Sequence, residues 1–300
     1  MSAAAYMTDD GLKPGDILVE IDGTSVEKRI ETLSPYVVLP EEDKIVNKIS
    51  EPLLAVKAET AKVKVVRDGR KKSLTVETLK EKFRPKNPYE NGLLEGENIG
   101  YIDPGVLKKG EIEDLMEAFA DTEGMIVDLR SYPSVFIPYL LGEYITPEPK
   151  QFASMSFQNR AVPGSFLVQN NLLSGAGVMK KNHMSKKEYP AYHGKVVILM
   201  NETSQSQSEF TVMALRQSPN AVVVGSPSIG ADGNVVKISL PGRVNMYMSG
   251  LGVFTPEGGQ TQRVGLTPDV ECYPTVEGLR DNRDELIEKA VEIIRGESGE

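Results

Sequence analysis

The chain has 300 residues, of which 40% are apolar and 26% are charged, a balance typical of a globular protein with room for two domains. Its formal net charge of -9 leaves no basic stripe to neutralise phosphates, which argues against nucleic acid as a partner. The single cysteine, Cys272, excludes an internal disulfide and a multi-cysteine metal site, and no apolar run reaches the length of a membrane span.

Residues 1–80 predict a small β domain. Residues 17–21 follow the turn GLKPGD, alternate apolar and other side chains, and stop at Asp22-Gly23, as a strand does. Asp68-Gly69 separates two further alternating stretches, and this pattern predicts a hairpin.

The first residues, MSAAAYMTDDG, lack the basic start and the long apolar core of a signal peptide. We therefore expect a cytoplasmic protein, or one of the cell envelope or periplasm if an upstream signal has been removed.

A second domain is predicted after residues 81–97, which are charged, contain two prolines and Asn91-Gly92, and indicate a linker. Residues 99–102 and 125–130 are apolar runs that predict strands, and between them apolar residues recur at helical spacing. Those residues are Ile112, Leu115, Met116 and Phe119. Strand, helix and strand at this spacing predict a right-handed crossover in a parallel or mixed sheet.

The middle of this domain is less regular. Residues 145–194 show little periodicity, and a segment of this kind either shapes a substrate cleft or covers a sheet edge. Near the end of the chain, Leu286, Ala290 and Ile293 predict a last amphipathic helix that closes at Gly296.

Residues 195–235 predict a strand, a sharp turn, a helix, a second strand and a Gly-rich turn. Ser206 lies where the first strand gives way to the helix, and Ser206 with Glu209 forms a capping-box pattern. A hydroxyl at this position also lies beside free backbone N–H groups and the positive end of the helix dipole, which can stabilise an oxyanion. Both interpretations, a cap and a nucleophile, follow from the local pattern.

The whole stretch resembles the carboxyl-terminal processing (tail-specific) serine peptidases, whose signature is an apolar strand, Ser-x-Ser-x-Ser-Glu, a helix, a strand and a Gly-rich turn. Ser204, Ser206 and Ser208 followed by Glu209 match it, and the resemblance implies that Ser206 is the nucleophile. The segment GLKPGDILVEIDGTSV is similar to part of a PDZ domain, a module that binds peptide carboxy termini by strand addition.

The resemblance implies an α/β (α+β) fold, with a crotonase/ClpP-like core of layered sheet and helices behind a partial PDZ-like domain. The corresponding boundaries are residues 1–80 for the PDZ-like domain, with an insertion at 27–60, residues 81–97 for the linker and residues 98–300 for the peptidase-like core.

The chain departs from the family at the general base. Ala231 stands where the processing peptidases carry a lysine. A second branch, similar to the core of tricorn protease, uses a histidine and a glutamate, and Asp103 and Gln262 stand in their places. The remaining match, Gly-x-x-Pro-Asp at residues 265–269, places the chain closer to this branch.

Asp103 is a candidate base if burial raises its pKa, and otherwise it caps the turn at Pro104-Gly105. Lys237 and the two histidines, His183 and His193, are the other candidates, with no geometric evidence that either histidine reaches the serine.

The oxyanion hole is less affected, because its donors are backbone groups. The N–H of Gln207 is the first donor that the resemblance implies. The second comes from the turn after Asp-Leu-Arg, where Pro133 cannot donate and Tyr132 or Ser134 can.

These residues predict a serine endopeptidase of the tail-specific type, which hydrolyses unfolded or carboxy-terminal polypeptide through an acyl-enzyme on Ser206 and needs no cofactor or metal. The alternative is an inactive family member that binds peptides. A crotonase-like acyl-CoA enzyme shares the core architecture, but the chain has no basic cluster for a nucleotide. Oligomeric state and substrate preference stay open.

Overall fold

The computed structural model describes residues 11–37, 45–46, 48–77 and 87–296. The chain divides into two compact units, Met1–Pro88 with Tyr273–Glu288 and Tyr89–Cys272 with Lys289–Glu300.

In chain order the described strands are β1 (Ile17–Ile21), β2 (Thr24–Ser25), β3 (Thr60–Arg67), β4 (Arg70–Glu77), β5 (Gly92–Leu93), β6 (Ile99–Ile102), β7 (Gly124–Asp128), β8 (Lys150–Gln158), β9 (Phe166–Ser174), β10 (Lys195–Met200), β11 (Ala221–Gly225), β12 (Val235–Leu240), β13 (Val244–Ser249), β14 (Gly252–Phe254) and β15 (Val270–Glu271). The described α-helices are α1 (Val26–Leu33), α2 (Ser50–Leu54), α3 (Glu111–Ala118), α4 (Pro138–Ile145), α5 (Val178–Lys181), α6 (Gln207–Leu215), α7 (Val276–Arg280) and α8 (Glu285–Arg295).

The first unit is built on a four-stranded antiparallel sheet in the order β2-β1-β3-β4. Strand β3 alternates, with Ala61, Val63 and Val65 buried and the residues between them exposed, because one face of the sheet covers a small apolar core. The Asp68-Gly69 turn joins β3 to β4 in register, as the sequence predicts. The predicted insertion contains α1 and α2, and its residues 38–44 and 47 lie outside the described part of the chain.

The second unit is built on a six-stranded sheet in the order β15-β11-β10-β7-β6-β5. Strands β6, β7, β10, β11 and β15 run parallel, and β5 pairs antiparallel with β6. Both predicted strand-helix-strand units are present, as β6-α3-β7 and β10-α6-β11. The mixed α/β class is therefore confirmed.

Helix α6 is the most deeply placed of these elements. Every residue from Ser208 to Leu215 is buried, because the helix is apolar on nearly all sides and packs in the core beside α4 and β8. Its first turn is therefore held in a fixed position relative to the sheet.

The prediction that residues 145–194 are irregular was wrong. They contain β8, β9 and α5, and a three-stranded antiparallel sheet forms in the order β14-β8-β9. The pairing of β8 with β9 shifts register at two places between Gln151 and Met155. Such bulges interrupt the alternation by which a strand is recognised in a sequence.

Two further features bear on the predictions. The linker prediction falls partly on residues 81–86, which lie outside the described residues, while β5 belongs to the sheet. The last helix is present as α8, with Leu286 and Ala290 buried, and Gly296 follows it at φ +70°. Within the described ranges, no helix is both long enough and apolar enough to cross a membrane.

Candidate active site

The candidate site lies beyond the carboxyl ends of the parallel strands, where the turns after β7 and β10 meet. The Ser204 hydroxyl donates to the Leu129 carbonyl at 2.8 Å and accepts from the Asn201 N–H at 3.1 Å. The Thr203 hydroxyl donates to the Arg130 carbonyl at 2.9 Å. These bonds join the first serine of the motif to the Asp-Leu-Arg turn.

Ser206 has a backbone conformation that a helix cap does not require. It is the N-cap of α6 at φ +51° and ψ -113°, whereas an N-cap normally lies in the β region. A non-glycine residue at this combination lies outside the small left-handed region and carries strain of about 1–3 kcal/mol.

The contact that holds this conformation is the capping box. The Ser206 N–H donates to Glu209 Oε2 at 3.0 Å. The reciprocal contact of the box, between the Glu209 N–H and the Ser206 side chain, is present as well.

Glu209 connects the serine turn to the Gly-rich turn after β11. Its fully buried carboxylate accepts hydrogen bonds from four groups, which are the N–H groups of Ser206, Gly230 and Ala231 and the hydroxyl of Ser228. Burial raises the pKa of Glu209, and these hydrogen bonds oppose the rise. The position at which the family carries its lysine is therefore tied through one carboxylate to the backbone of Ser206.

The close approach of the Gly-rich turn to the backbone of residues 263–265 depends on Gly230. It has φ +78°, and a Cβ there would lie 2.8 Å from the Gly265 nitrogen, which leaves room for glycine alone.

Asp232 is a second buried acid beside Glu209. Its Oδ1 accepts the Gly233 N–H at 2.7 Å, while its buried Oδ2 has no hydrogen-bond partner among the described residues. The nearby Thr261 hydroxyl donates instead to the Val253 carbonyl at 3.0 Å. Burial, together with the Glu209 charge, raises the pKa of Asp232 to about 7.

The sequence analysis did not name Asp232 among its candidate residues. The sequence feature that could have identified it is an acidic residue directly after Ala231, the position of the missing lysine.

Asp103, the predicted base, follows β6 and is buried. Its carboxylate accepts the Gly105 N–H at 2.8 Å, the turn-capping contact that the sequence analysis gave as the alternative, and Ser131 Oγ lies 3.5 Å away. Strand β7 lies between β6 and β10, so Asp103 and Ser206 follow strands that are not neighbours. The role of Asp103 as base stays a prediction.

The predicted oxyanion donors lie around the start of α6. The N–H of Gln207 is in the first turn, where helical N–H groups have no intrahelical acceptor, and its side-chain amide donates to the Val135 carbonyl at 2.7 Å. The Ser134 N–H donates to the Pro104 carbonyl at 2.8 Å and is therefore occupied. Of the two candidates for the second donor, this leaves the N–H of Tyr132, whose side chain is 53% exposed.

The other candidate bases lie on exposed parts of the second unit. His183 and His193 are exposed, as is Lys237, which lies on β12 opposite Tyr247.

Gln262 stands in the place of the family's glutamate. Its side-chain amide donates to the carbonyls of Leu251 and Asp232 at 2.6 and 3.2 Å and so supports the Gly-rich turn. No group of three or more acidic, histidine or cysteine side chains suited to a metal ion occurs in the part of the chain that the structure describes.

Comparison with known proteins gives one family match. Residues 150–272, which include the three serines of the motif and the Gly-rich turn, match the model described as Peptidase family S41. No curated protein sequence matches the chain.

Three solved structures share the fold over nearly all of this chain. Mature CPAF has a TM-score of 0.67 at 16% identity, with 99% of this chain and 80% of that chain covered. A putative peptidase from Parabacteroides merdae has a TM-score of 0.57 at 15% identity, with 94% and 78% covered. A putative S41 protease from Bacteroides fragilis NCTC 9343 has a TM-score of 0.50 at 15% identity, with 97% and 75% covered.

The similarity to the tricorn protease is weaker, with a TM-score of 0.40 and 27% of that chain covered. The closer relation to the tricorn-like branch stays a prediction.

Proposed function

We propose that this chain, which carries a peptidase family S41 domain over residues 150–272, is a serine endopeptidase that cleaves unfolded or carboxy-terminal polypeptide through an acyl-enzyme on Ser206. The observation that carries the proposal is the strained backbone of Ser206 at the start of a buried helix. Capping needs no positive φ, whereas a nucleophile presented on a sharp turn between a strand and a helix does.

The chemical steps follow from the groups around this turn. Ser206 Oγ attacks the carbonyl carbon of the scissile peptide bond, and its proton passes to the base. The negative charge on the carbonyl oxygen is stabilised by the N–H groups of Gln207 and Tyr132. The tetrahedral intermediate expels the amine, which takes up the proton, and water then releases the acyl group from the serine.

The proposed proton acceptor is Asp103. Strand β7 separates Asp103 from the serine turn. In this proposal the proton therefore passes by way of the turn after β7, where the Ser131 hydroxyl lies 3.5 Å from the Asp103 carboxylate. In this proposal Glu209 does not take the proton, because its carboxylate already accepts four hydrogen bonds and serves to position the serine backbone.

Labelling by a fluorophosphonate probe tests the proposal. We expect the parent protein to be labelled and Ser206→Ala to be unlabelled, with the adduct mapped to Ser206 by mass spectrometry. Ser208→Ala is the matched control, because it removes another hydroxyl of the same motif that is buried and has no hydrogen-bond partner among the described residues, and it should keep the label.

Absence of labelling in folded parent protein would reject the peptidase. The missing lysine, histidine and glutamate favour the alternative in that case, a peptide-binding protein in which Ser206 only caps its helix.

A further inference from the structure

The hairpin formed by β12 and β13, residues 235–249, has one entirely apolar face. Opposed residues in an antiparallel pair lie on the same face, and the register opposes Val236 to Met248, Ile238 to Met246 and Leu240 to Val244. The opposite face carries the pairs Val235 with Ser249, Lys237 with Tyr247 and Ser239 with Asn245. The ribbon is therefore amphipathic.

The apolar face is largely exposed, and of its six side chains only Ile238 is half-buried. Met246 is 45% exposed, Met248 is 52% exposed and Val244 is 55% exposed. In the described part of the chain, β12 and β13 pair only with each other, so both outer edges of the ribbon are without a neighbouring strand. A two-stranded ribbon with an open apolar face and open edges is suited to a partner that supplies apolar side chains and a strand.

The hairpin is continuous with the candidate site. It begins directly after the Gly-rich turn whose Ala231 N–H binds Glu209, and its other end is tied to that turn by the Ser249 hydroxyl, which donates to the Asp232 carbonyl at 3.1 Å. The Gly250 N–H donates to the Asn234 carbonyl at 2.8 Å and closes the base of the ribbon. A segment lying along the hairpin would therefore lead toward the turn next to Ser206.

The composition of the face indicates the kind of partner. It has no charged residue, and two of its six side chains are methionines, which adapt their shape to different apolar surfaces. Six residues of strand are about 20 Å long, enough for roughly six residues of an extended peptide. Folded proteins bury most of their large apolar side chains. A partner that exposes an extended apolar stretch is therefore an unfolded polypeptide.

We propose that the β12–β13 hairpin is a docking surface for an extended apolar segment of an unfolded polypeptide. The segment lies on the face of Val236, Met246 and Met248 or adds to an open edge beside it, and it is presented to the turn that carries Ser206. The presentation step rests on the proposed function, because it names the substrate class of that site, whereas docking itself does not require cleavage.

Fluorescence anisotropy with a labelled synthetic peptide tests the docking. The probe is a 14-residue peptide of alternating valine or leucine with serine, and the comparison peptide has serine and asparagine throughout. All proteins carry Ser206→Ala, so that binding is measured without cleavage. Met246→Ser with Met248→Ser removes apolar side chains from the proposed face, and Val235→Ser with Tyr247→Ser removes two from the opposite face as a matched control.

We expect the apolar peptide to bind the Ser206→Ala protein and the comparison peptide not to bind. The Met246/Met248 variant should bind the apolar peptide about tenfold more weakly, and the Val235/Tyr247 variant within about twofold of the Ser206→Ala protein. Equal weakening by both variants, or no binding to the Ser206→Ala protein, overturns the proposal.

Two other occupants of the face are tested in the same proteins. If the Met246/Met248 substitutions change the sedimentation mass and leave peptide binding unchanged, the face binds a second copy of the chain and the proposal fails. If they abolish binding to vesicles of phosphatidylcholine and phosphatidylglycerol but not to the peptide, the face binds lipid and the proposal fails.

A cross-linking measurement does not depend on how the variants fold. The apolar peptide carrying benzoylphenylalanine should cross-link the Ser206→Ala protein within residues 235–249, and cross-links confined to other regions would overturn the proposal. Failure here is distinguishable from failure of the proposed function. Fluorophosphonate labelling without hairpin-dependent binding rejects only the docking surface, and binding without labelling rejects only the peptidase.

Discussion

At the scale of single residues, the backbone of Ser206 is the feature that most needs an explanation. The serine is held at φ +51° by the hydrogen bond from its N–H to Glu209, and glycine would occupy the same conformation without strain. Strain of this kind persists where the surrounding contacts hold the backbone in an unfavourable conformation, and such positions are concentrated at functional sites.

The strain can be measured with Ser206→Gly. If the serine backbone is strained, the free energy of unfolding in urea should rise by about 1 kcal/mol, because glycine relieves the strain and remains an acceptable N-cap. Ser206→Ala keeps the Cβ and loses the hydroxyl, and it should not be more stable than the parent protein. A lower free energy of unfolding for Ser206→Gly than for the parent would show that the serine only caps the helix.

Asp232 predicts a pH dependence of stability. Its pKa in the folded protein is about 7, above the ordinary value of 3.8, so the fold favours the protonated carboxyl. This contribution to stability is complete below pH 3.8 and is lost as the pH rises through 7. The side chains that act on this carboxyl are the Glu209 carboxylate and the Thr261 hydroxyl, and only Glu209 of the two is charged.

Asp232→Asn should therefore be more stable than the parent protein at pH 8, by up to about 4 kcal/mol, with the difference shrinking toward pH 4. Thermal unfolding between pH 4 and pH 8 measures this difference. Asp121→Asn, which changes an exposed acid, is the control and should follow the parent at every pH. A parent stability that rises between pH 4 and pH 8 together with a destabilised Asp232→Asn would contradict the prediction.

At the scale of elements, the three serines of the motif have different surroundings. Ser204 links the turn after β10 to the turn after β7, and Ser206 is the N-cap of α6. Ser208 has a buried hydroxyl with no hydrogen-bond partner in the part of the chain that the structure describes. Only the middle hydroxyl lies at a position where the backbone is strained.

These surroundings predict opposite effects on stability. Ser204→Ala should lower the free energy of unfolding by about 1–3 kcal/mol, because the buried Leu129 carbonyl loses its donor. Ser208→Ala should leave stability unchanged or raise it slightly, because its hydroxyl makes no hydrogen bond to any described residue. Urea titration of the two variants measures both changes, and equal destabilisation by the two would refute the assignment.

At the scale of the whole molecule, protection against hydrogen exchange should follow burial. Strands β7 and β10 are central in the six-stranded sheet and almost entirely buried, so their amides should exchange most slowly. The amides of β12 and β13, in an exposed two-stranded ribbon, should exchange much faster, and added apolar peptide should slow them.

Hydrogen exchange followed by mass spectrometry measures this order in the parent protein. If β12 and β13 were as protected as β10 without added peptide, the apolar face would already be covered, and the docking proposal would lose its premise.

The fold and the site were predictable to different degrees. Local patterns alone determined the two strand-helix-strand units, the Asp68-Gly69 hairpin and the position of Ser206 between a strand and a helix, because helix and strand periods, turn residues and capping boxes act over a few neighbouring residues. The match of residues 150–272 to peptidase family S41 agrees with the resemblance that the motif carries.

Only the tertiary structure decided the strain at Ser206, the burial of Asp232, the strands β8 and β9 and the largely exposed apolar face of β12–β13. Each depends on groups distant in sequence. The Glu209 carboxylate, for example, accepts hydrogen bonds from residues 206, 228, 230 and 231. Burial, strain and the pairing of bulged strands arise from packing between elements, and no local pattern in a sequence contains them.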